Sequence, residues 1–378
     1  MTEKTSFFLQ SYWSRTCEGI WPETLGWQPW GAANGPAATE AQRQSPRALL
    51  GRRAVRRHRG LLSSRVVALN QTAWENWDQV FIEFNGFFGE PRAHFAQQLS
   101  ALLDDLNRSP DWDEFRLAGM QQPEYDAALT QAANRGLRVQ LRDRRMAPYR
   151  HLRPDRAAGS VLAGLSANLR GQLRRSQRRL TDTLGPLKLF HAQDPQQAWQ
   201  WLEHMAPWHQ ARWRQSDGTS TSGFCNPAFV RFHKALIDDA FRTDQVRIWQ
   251  LRAGDHVVST VYNLRSEVTE SFYLGAPNPA IDPRFQGGLL AHVAIMDQCL
   301  QDGLEFYDFM AGDSRYKRQL ATDAETLYWI VLQRPRLKFA IEDRLRRLRS
   351  TLIHTSPQEI EPLGARERPI QRSAPNRF

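Results

Sequence analysis

The sequence predicts an α/β fold of mixed sheets flanked by helices, on three observations. Runs with a period of two alternate with runs of helical spacing, the pattern of strands interleaved with helices. Three consecutive strand-like segments, QVRIWQLRAG, DHVVSTVYNLRS and EVTESFYLGAP, are separated only by short polar turns at Ala253-Gly254 and Ser266-Glu267. The length, 378 residues, exceeds one small domain, so two units are expected.

The opening, to about Leu62, shows no clear period. It holds Trp13, Trp21, Trp27 and Trp30, then GAANGPAATEAQRQSP, then GRRAVRRHRG. Arg52, Arg53, Arg56, Arg57 and Arg59 form either a phosphate-binding patch or, as such runs more often do, a solvated loop or hairpin edge. SRVVALN reads as a strand turning at Asn70, and DQVFIEF as a second strand before Asn85-Gly86. Phe95, Leu99, Leu102, Leu103 and Leu106 recur at helical spacing. DEFRLAGM is a third strand, PEYDAALTQAANRG a helix stopped by Gly136, and LRVQLRDR a fourth strand.

VLAGLSANLRGQLRRSQRRL predicts one helix with a leucine stripe, and Arg170, Arg174, Arg175, Arg178 and Arg179 crowd its remaining surface. LKLFHA is a strand, QQAWQWLEHMAPWHQARWRQ a helix broken at Pro207, SDGTSTSGFCNP a loop and FVRFHKALIDDAFR an amphipathic helix. After the three-strand meander, PRFQGGLLAHVAIMDQCLQDG is a loop feeding a helix. EFYDFM is a strand, GDSRYKRQLATDAE a gap and TLYWIVLQ a final apolar strand. An arginine-rich tail follows, helical at first. The expected division is 1–150, 151–335 and a tail 336–378.

A formal net charge of +10 suits anionic partners, whether nucleic acid, phosphorylated small molecules or a membrane surface. Cys17, Cys225 and Cys299 lie far apart without CxxC spacing, as expected of a reducing compartment and of no metal framework. MTEKTSFFLQSYWS has no basic stretch leading into an apolar one, and no apolar run approaches the roughly 20 residues of a membrane helix. The expectation is a cytoplasmic protein without a transmembrane segment.

Gly287 and Gly288 stand where a loop turns into a helix. A helix start offers unpaired N–H groups and the positive end of the dipole, which suit a pyrophosphate, and glycine lets phosphates approach the backbone. The order meander, glycine loop, helix, strand resembles the acyl-coenzyme A core of the GNAT N-acetyltransferase superfamily. More closely, the chain resembles its Fem-like branch and the CelD/BcsL-type acetyltransferase domain of bacterial exopolysaccharide loci. That likeness is carried by APYRHL with LSANLRGQLRRSQRRL, by WHQARW, by PRFQGGLLAHVAI and by GLEFYDFMAGDSRYKRQL. It implies two tandem GNAT-like units, the first degenerate and helping to form an acceptor cleft, the second keeping the donor site. The donor loop would comprise Arg284, Phe285, Gln286, Gly287, Gly288 and Leu289, a partial version of the usual pattern.

Acyl transfer to an amine needs a base, a polarised carbonyl and an acid for the leaving thiolate. If FYDFM lies beside the donor helix, Asp313 or Asp308 is the base, Tyr316 the acid, and Lys317 a stabiliser of anionic charge or a binder of an acidic acceptor. The competing reading makes Asp313 a turn cap and Tyr316-Lys317 packing residues. His209, Arg212 and Trp213 of WHQARW would border the acceptor cleft. Arg170 and Arg174 would contact phosphates of donor or acceptor, or form only the polar face of their helix. No HExxH, GxSxG, GxGxxG or GxxxxGK[ST] occurs, so no metal site, nucleophile elbow or nucleotide loop is expected. The function expected is transfer from acetyl-coenzyme A, or another acyl-coenzyme A, to an amine of a sugar, amino acid or peptide precursor. The alternatives are a Fem-type transfer from aminoacyl-tRNA and a non-catalytic adaptor that binds RNA or a synthase.

Overall fold

In the computed structural model, residues 4–31, 46–57, 62–80, 82–109 and 111–341 are described. The strands are β1 (Gln28–Trp30), β2 (Ala48–Arg57), β3 (Leu62–Leu69), β4 (Glu114–Met120), β5 (Arg138–His151), β6 (Leu187–His191), β7 (Val246–Ala253), β8 (His256–Arg265), β9 (Thr269–Pro277), β10 (Phe306–Asp308) and β11 (Asp323–Gln333). The helices are α1 (Ser11–Ile20), α2 (Phe95–Arg108), α3 (Gln122–Asn134), α4 (Arg153–Ala158), α5 (Val161–Gly164), α6 (Ala167–Leu184), α7 (Pro195–Arg212), α8 (Pro227–Ala240), α9 (Gly287–Gln301) and α10 (Arg315–Leu320).

All eleven strands form one mixed sheet in the order β1-β2-β3-β4-β11-β5-β10-β9-β8-β7-β6. Its two ends repeat one plan. β3 and β4 are parallel and joined through α2; β9 and β10 are parallel and joined through α9. In each half a helix and a strand follow: α3 with β5, and α10 with β11. Those last strands are exchanged. β5 pairs with β10, β11 pairs with β4, and the two pair with each other along eleven residues of β11. The exchange makes the halves one continuous sheet.

Burial follows the residue pattern. Leu99, Leu102, Leu103 and Leu106 of α2 pack with Phe115 and Leu117 of β4 and Ile330 and Leu332 of β11. The leucine stripe of α6 and the apolar length of α9 pack on the other half with Leu251, Val258 and Val261. On the opposite face, α7 and α8 join Phe7, Phe8 and Trp13. The opening therefore is not without structure: Phe8 meets Trp13 edge-on at 4.7 Å, and Trp13 meets Phe232 at 4.8 Å. Aromatic packing of this kind has no sequence period.

Other expectations shift. The arginine run lies partly on β2, which forms a hairpin with β3; Arg59 falls outside the described residues. The described residues of DQVFIEF form no strand: residues 78–80 lie in a turn, and Phe84 has a left-handed φ of 54°, which a pleated strand does not allow. The helix read from Val161 is two, since Ser160 and Ser166 each cap a start, accepting from Ala163 N and Leu169 N. Pro207 does not break α7; the helix runs through it to Arg212. EFYDFM leaves the sheet after Asp308, and the expected gap contains α10. Residues 337–341 begin the tail as a helix, and the rest of the tail lies outside the described residues.

Candidate active site

The parallel pair β9/β10 holds together only briefly. Pairing covers residues 269–271 against 306–308, while β9 continues to Pro277 along β8. Beyond Ser271 and Asp308 the two strands diverge, so one edge of residues 272–277 has no strand partner among the described residues. A β-bulge at Tyr273, opposite Tyr262 and Asn263, adds a kink on that edge. The result is a wedge whose vertex is Ser271 and Asp308.

The chain passes from the open end of this wedge into α9. Gln286 takes the left-handed conformation (φ 52°) as its N-cap, with no side-chain cap, and the first intrahelical bond runs from Leu290 N to Gln286 O. The N–H groups of Gly287, Gly288 and Leu289 precede that bond. The two glycines differ. A Cβ on Gly287 would lie 2.4 Å from Val258 Cγ1, whereas one on Gly288 would meet nothing within 4 Å. Gly287 is required by packing against β8; Gly288 opens onto free space above the helix start. Arg284 pairs with Asp282 at 2.5 Å on the surface, and Asp282 also feels Arg179 of α6. Thus Arg174, Arg175, Arg178 and Arg179, all exposed, lie on the helix beside this loop.

On the α9 side, His292 is buried, with Nδ1 3.0 Å from the Tyr307 hydroxyl and its ring stacked on Tyr316 at 5.6 Å. Burial, followed by the positive charges of Lys317 and Arg212, pushes its pKa down to about 3, so it is neutral at physiological pH. Burial with nearby Glu270 and Cys299 raises the Tyr307 phenol well above its usual value. On the opposite face His233 stands between two phenols, 3.2 Å from Tyr262 and 3.1 Å from Tyr273, and burial lowers it to about 3. One ring nitrogen donates and the other accepts, which fixes Tyr273 at the bulge.

The residues expected from sequence fall in different settings. Asp308 is buried at the vertex, accepting from Met310 N at 2.6 Å and ion-paired with Lys4. Lys317 is buried too, donating to the carbonyls of Met310 (3.1 Å) and Ala311 (2.9 Å); it fastens the turn where the chain leaves the sheet. Asp313 is exposed and paired with Arg318 at 2.6 Å. Tyr316 is half-buried against His292. His209 Nδ1 lies 2.8 Å from the Ser222 hydroxyl; Trp213 is near its ring, and Arg212 is exposed at the end of α7. Arg170 donates to the carbonyls of Ala163 and Leu165, while Arg174 lies on the exposed face of α6. Phe285 and Leu289 are half-buried against the leucines of the α6/α9 core. Asp308 thus marks the vertex of the wedge and residues 284–289 its open end; Tyr316 and Arg212 lie near His292, Asp313 is on the surface and Lys317 beneath it.

Residues 167–318 match the family model of the acetyltransferase (GNAT) domain. The match covers less than half of the chain and marks that stretch as similar to a GNAT domain. The match begins with α6, passes through the meander and the α9 start, and ends within α10, so the wedge lies inside the matched residues. Among solved structures, FemX is 9% identical, with 85% of this chain and 92% of that one covered and a TM-score of 0.53, a Fem-like fold. L-PGS from Bacillus licheniformis is 10% identical (75% and 85% covered, TM-score 0.47), and a tandem GNAT protein from the clavulanic acid biosynthesis pathway is 10% identical (77% and 81%, TM-score 0.37). No curated protein matches the sequence. Among the described residues no group of three His, Cys, Asp or Glu is placed to hold a metal, and no helix is long and apolar enough to cross a membrane.

Sequence reasoning missed His292, Tyr307, His233 and Tyr273. His292 sits in an apolar helical run, His233 on an amphipathic helix and the two tyrosines in strands, where such residues read as ordinary core. The only available signal was the bare presence of His292 in LLAHVAIM, five residues past the glycine loop.

Proposed function

We propose that this protein transfers an acyl group from acyl-coenzyme A, most simply acetyl-coenzyme A, to an amine on a small molecule or on a glycan or peptide precursor. Residues 151–335 are taken as the transferring unit, 1–150 as its degenerate partner and 336–378 as an appended tail. The observation that carries the reading is the open wedge between β9 and β10, leading to an uncapped helix start with free space above Gly288. A pyrophosphate fits the N–H groups of Gly287, Gly288 and Leu289, and an extended thioester arm fits beside the unpaired edge of residues 272–277. With the donor so held, the amine attacks directly in a ternary complex, the carbonyl being polarised by backbone donors of the bulged edge. Tyr316, against neutral His292, is assigned as the acid for the departing thiolate, and Asp313 as the base. A cytoplasmic place, and a role in polysaccharide or cell-envelope synthesis, accord with the reading.

Calorimetric titration with acetyl-coenzyme A tests it. Wild-type protein is expected to bind in the micromolar range and Gly288→Glu, which puts a carboxylate over the helix start, to lose binding. Absence of binding in both proteins would remove the acyl-coenzyme A donor.

A second reading has its own observation. The exposed row Arg174, Arg175, Arg178 and Arg179 flanks the donor loop and suits the phosphates of an aminoacyl-tRNA. Steeply salt-dependent tRNA binding, weakened by a double Arg175→Glu, Arg178→Glu substitution, would favour that donor. Tight RNA binding without any transfer would leave the adaptor reading.

A further inference from the structure

Lys4 lies in the irregular stretch ahead of α1, yet its ammonium ends deep in the molecule. It is ion-paired with both Asp308 and Glu325, and it stands 4.5 Å from the ring centroid of Phe84 and 4.3 Å from that of Tyr149. Its side chain is 11% exposed. Two accepting carboxylates combined with two aromatic faces make a cage that selects a primary ammonium, by charge and by cation–π attraction.

The four walls come from separate parts of the chain: β10, β11, β5 and the loop before α2. Each has a support other than Lys4. Asp308 accepts from Met310 N at 2.6 Å, Glu325 accepts from Gln121, the Tyr149 hydroxyl donates to Asp323 at 3.3 Å, and Phe84 packs with Ala118, Ala147, Leu327 and Trp329. The segment that delivers Lys4 is anchored just behind it: Thr5 donates its N–H to Thr269 Oγ1 (3.4 Å) and its hydroxyl to Ser266 Oγ (2.8 Å), its carbonyl accepts from Ser266 Oγ (3.0 Å), and Phe7 is sunk in the core. The cage stands beside the vertex of the wedge, because Asp308 is the last residue of β10 paired with β9.

We propose that the cage of Asp308, Glu325, Tyr149 and Phe84 is a binding site for a primary alkylammonium group of the acceptor, and that Lys4 occupies it as a displaceable stand-in. The acyl-transfer reading identifies the guest as part of the acceptor; the existence of the site does not depend on it. An amine between two carboxylates stays protonated, and Lys4 itself is shifted upward by Asp308 and Glu325 against the opposing effect of burial. The guest is therefore a recognition group distinct from the attacking nitrogen, and Lys4 is not a target of self-acylation. The acceptor class is a compound with a second, charged amine, such as a diamine or a lysyl group. Tethering through Phe7 keeps Lys4 at high effective concentration, so only an acceptor that also gains contacts in the wedge displaces it.

The test uses the full chain with Lys4→Ala and n-butylammonium chloride as the probe, with n-butanol and sodium chloride as controls. The substitution is expected to lower Tm, and butylammonium to restore most of that loss saturably, where neither control does. Wild type should show no saturable response. Adding Glu325→Gln to Lys4→Ala should abolish the rescue. A Lys4→Ala protein that responds no more than wild type, or equally to butanol, overturns the proposal. If the variant does not fold alone, refolding yield with butylammonium against butanol is the readout, with equal yields overturning it. No acyl donor is present, so failure here leaves acyl transfer standing, and failure to bind acetyl-coenzyme A leaves this site standing.

Discussion

The two parallel crossovers of this sheet, β3 to β4 and β9 to β10, start alike and end differently. In both, three residues pair, and one strand then runs on past its parallel partner while still paired on its other side. Between β3 and β4 the gap is filled by the chain itself. Asn85 donates its N–H to Gly119 O (3.2 Å) and its amide to Leu69 O (3.1 Å), while Asn70 donates to Asn85 Oδ1 and Gly86 O and accepts from Leu49 N. Between β9 and β10 no such filler is seen among the described residues, and the following helix starts with a glycine open to space. One plan of strands thus gives a closed, load-carrying joint in the first half and an opening in the second. The difference lies in loop residues, not in the strands.

The largest expected effect is on the closed joint. Asn70→Ala removes three buried hydrogen bonds at a left-handed position and should cost about 3 kcal/mol, read as a shift in urea midpoint. If stability hardly changes, the first wedge is not sealed by this network. Next, Gly287→Ala sets a methyl against Val258 and is expected to cost about 2 kcal/mol, while Gly288→Ala should stay within about 0.5 kcal/mol. Equal effects at both glycines would mean that the helix start is not open as described.

Acid titration sharpens the comparison in the second half. His233 and His292 have folded pKa values near 3, below the unfolded 6.5, so their contribution is present above 6.5 and is lost as pH falls toward 3. Each should cost about 2 kcal/mol between pH 6.5 and 5, and His292→Gln should flatten the acid limb of the stability curve. Asp78 offsets part of this: burial raises it to about 6, so its contribution is present below 3.8 and lost as pH rises through 6. The smallest effect is expected at Asp313→Asn, which touches only a surface pair with Arg318: no change in Tm, with a fall in kcat if Asp313 is the base. A matching fall in Tm would instead make its role structural.

The sequence made the strands of the meander, the helix α2 and the glycine-led helix α9 legible, because each has a clear period and a marked end. It did not reveal the exchange of β5 and β11, since pairing partners are set by long-range register and not by local pattern. Nor did it show why FYDFMAGDSRYKR carries so many charges. Asp308 answers Lys4, some three hundred residues away, and Lys317 answers the carbonyls left bare when Met310 turns left-handed (φ 57°). The irregular N-terminal stretch was opaque because its order comes from aromatic contacts and one deep ion pair.

The central claim is that the second wedge is open to a donor and the first is shut. Hydrogen–deuterium exchange with and without acetyl-coenzyme A tests it most directly. The account predicts new protection confined to residues 271–277 and 286–292, with none at residues 82–95. Protection centred on residues 82–95, or none at either wedge under saturating donor, would contradict it.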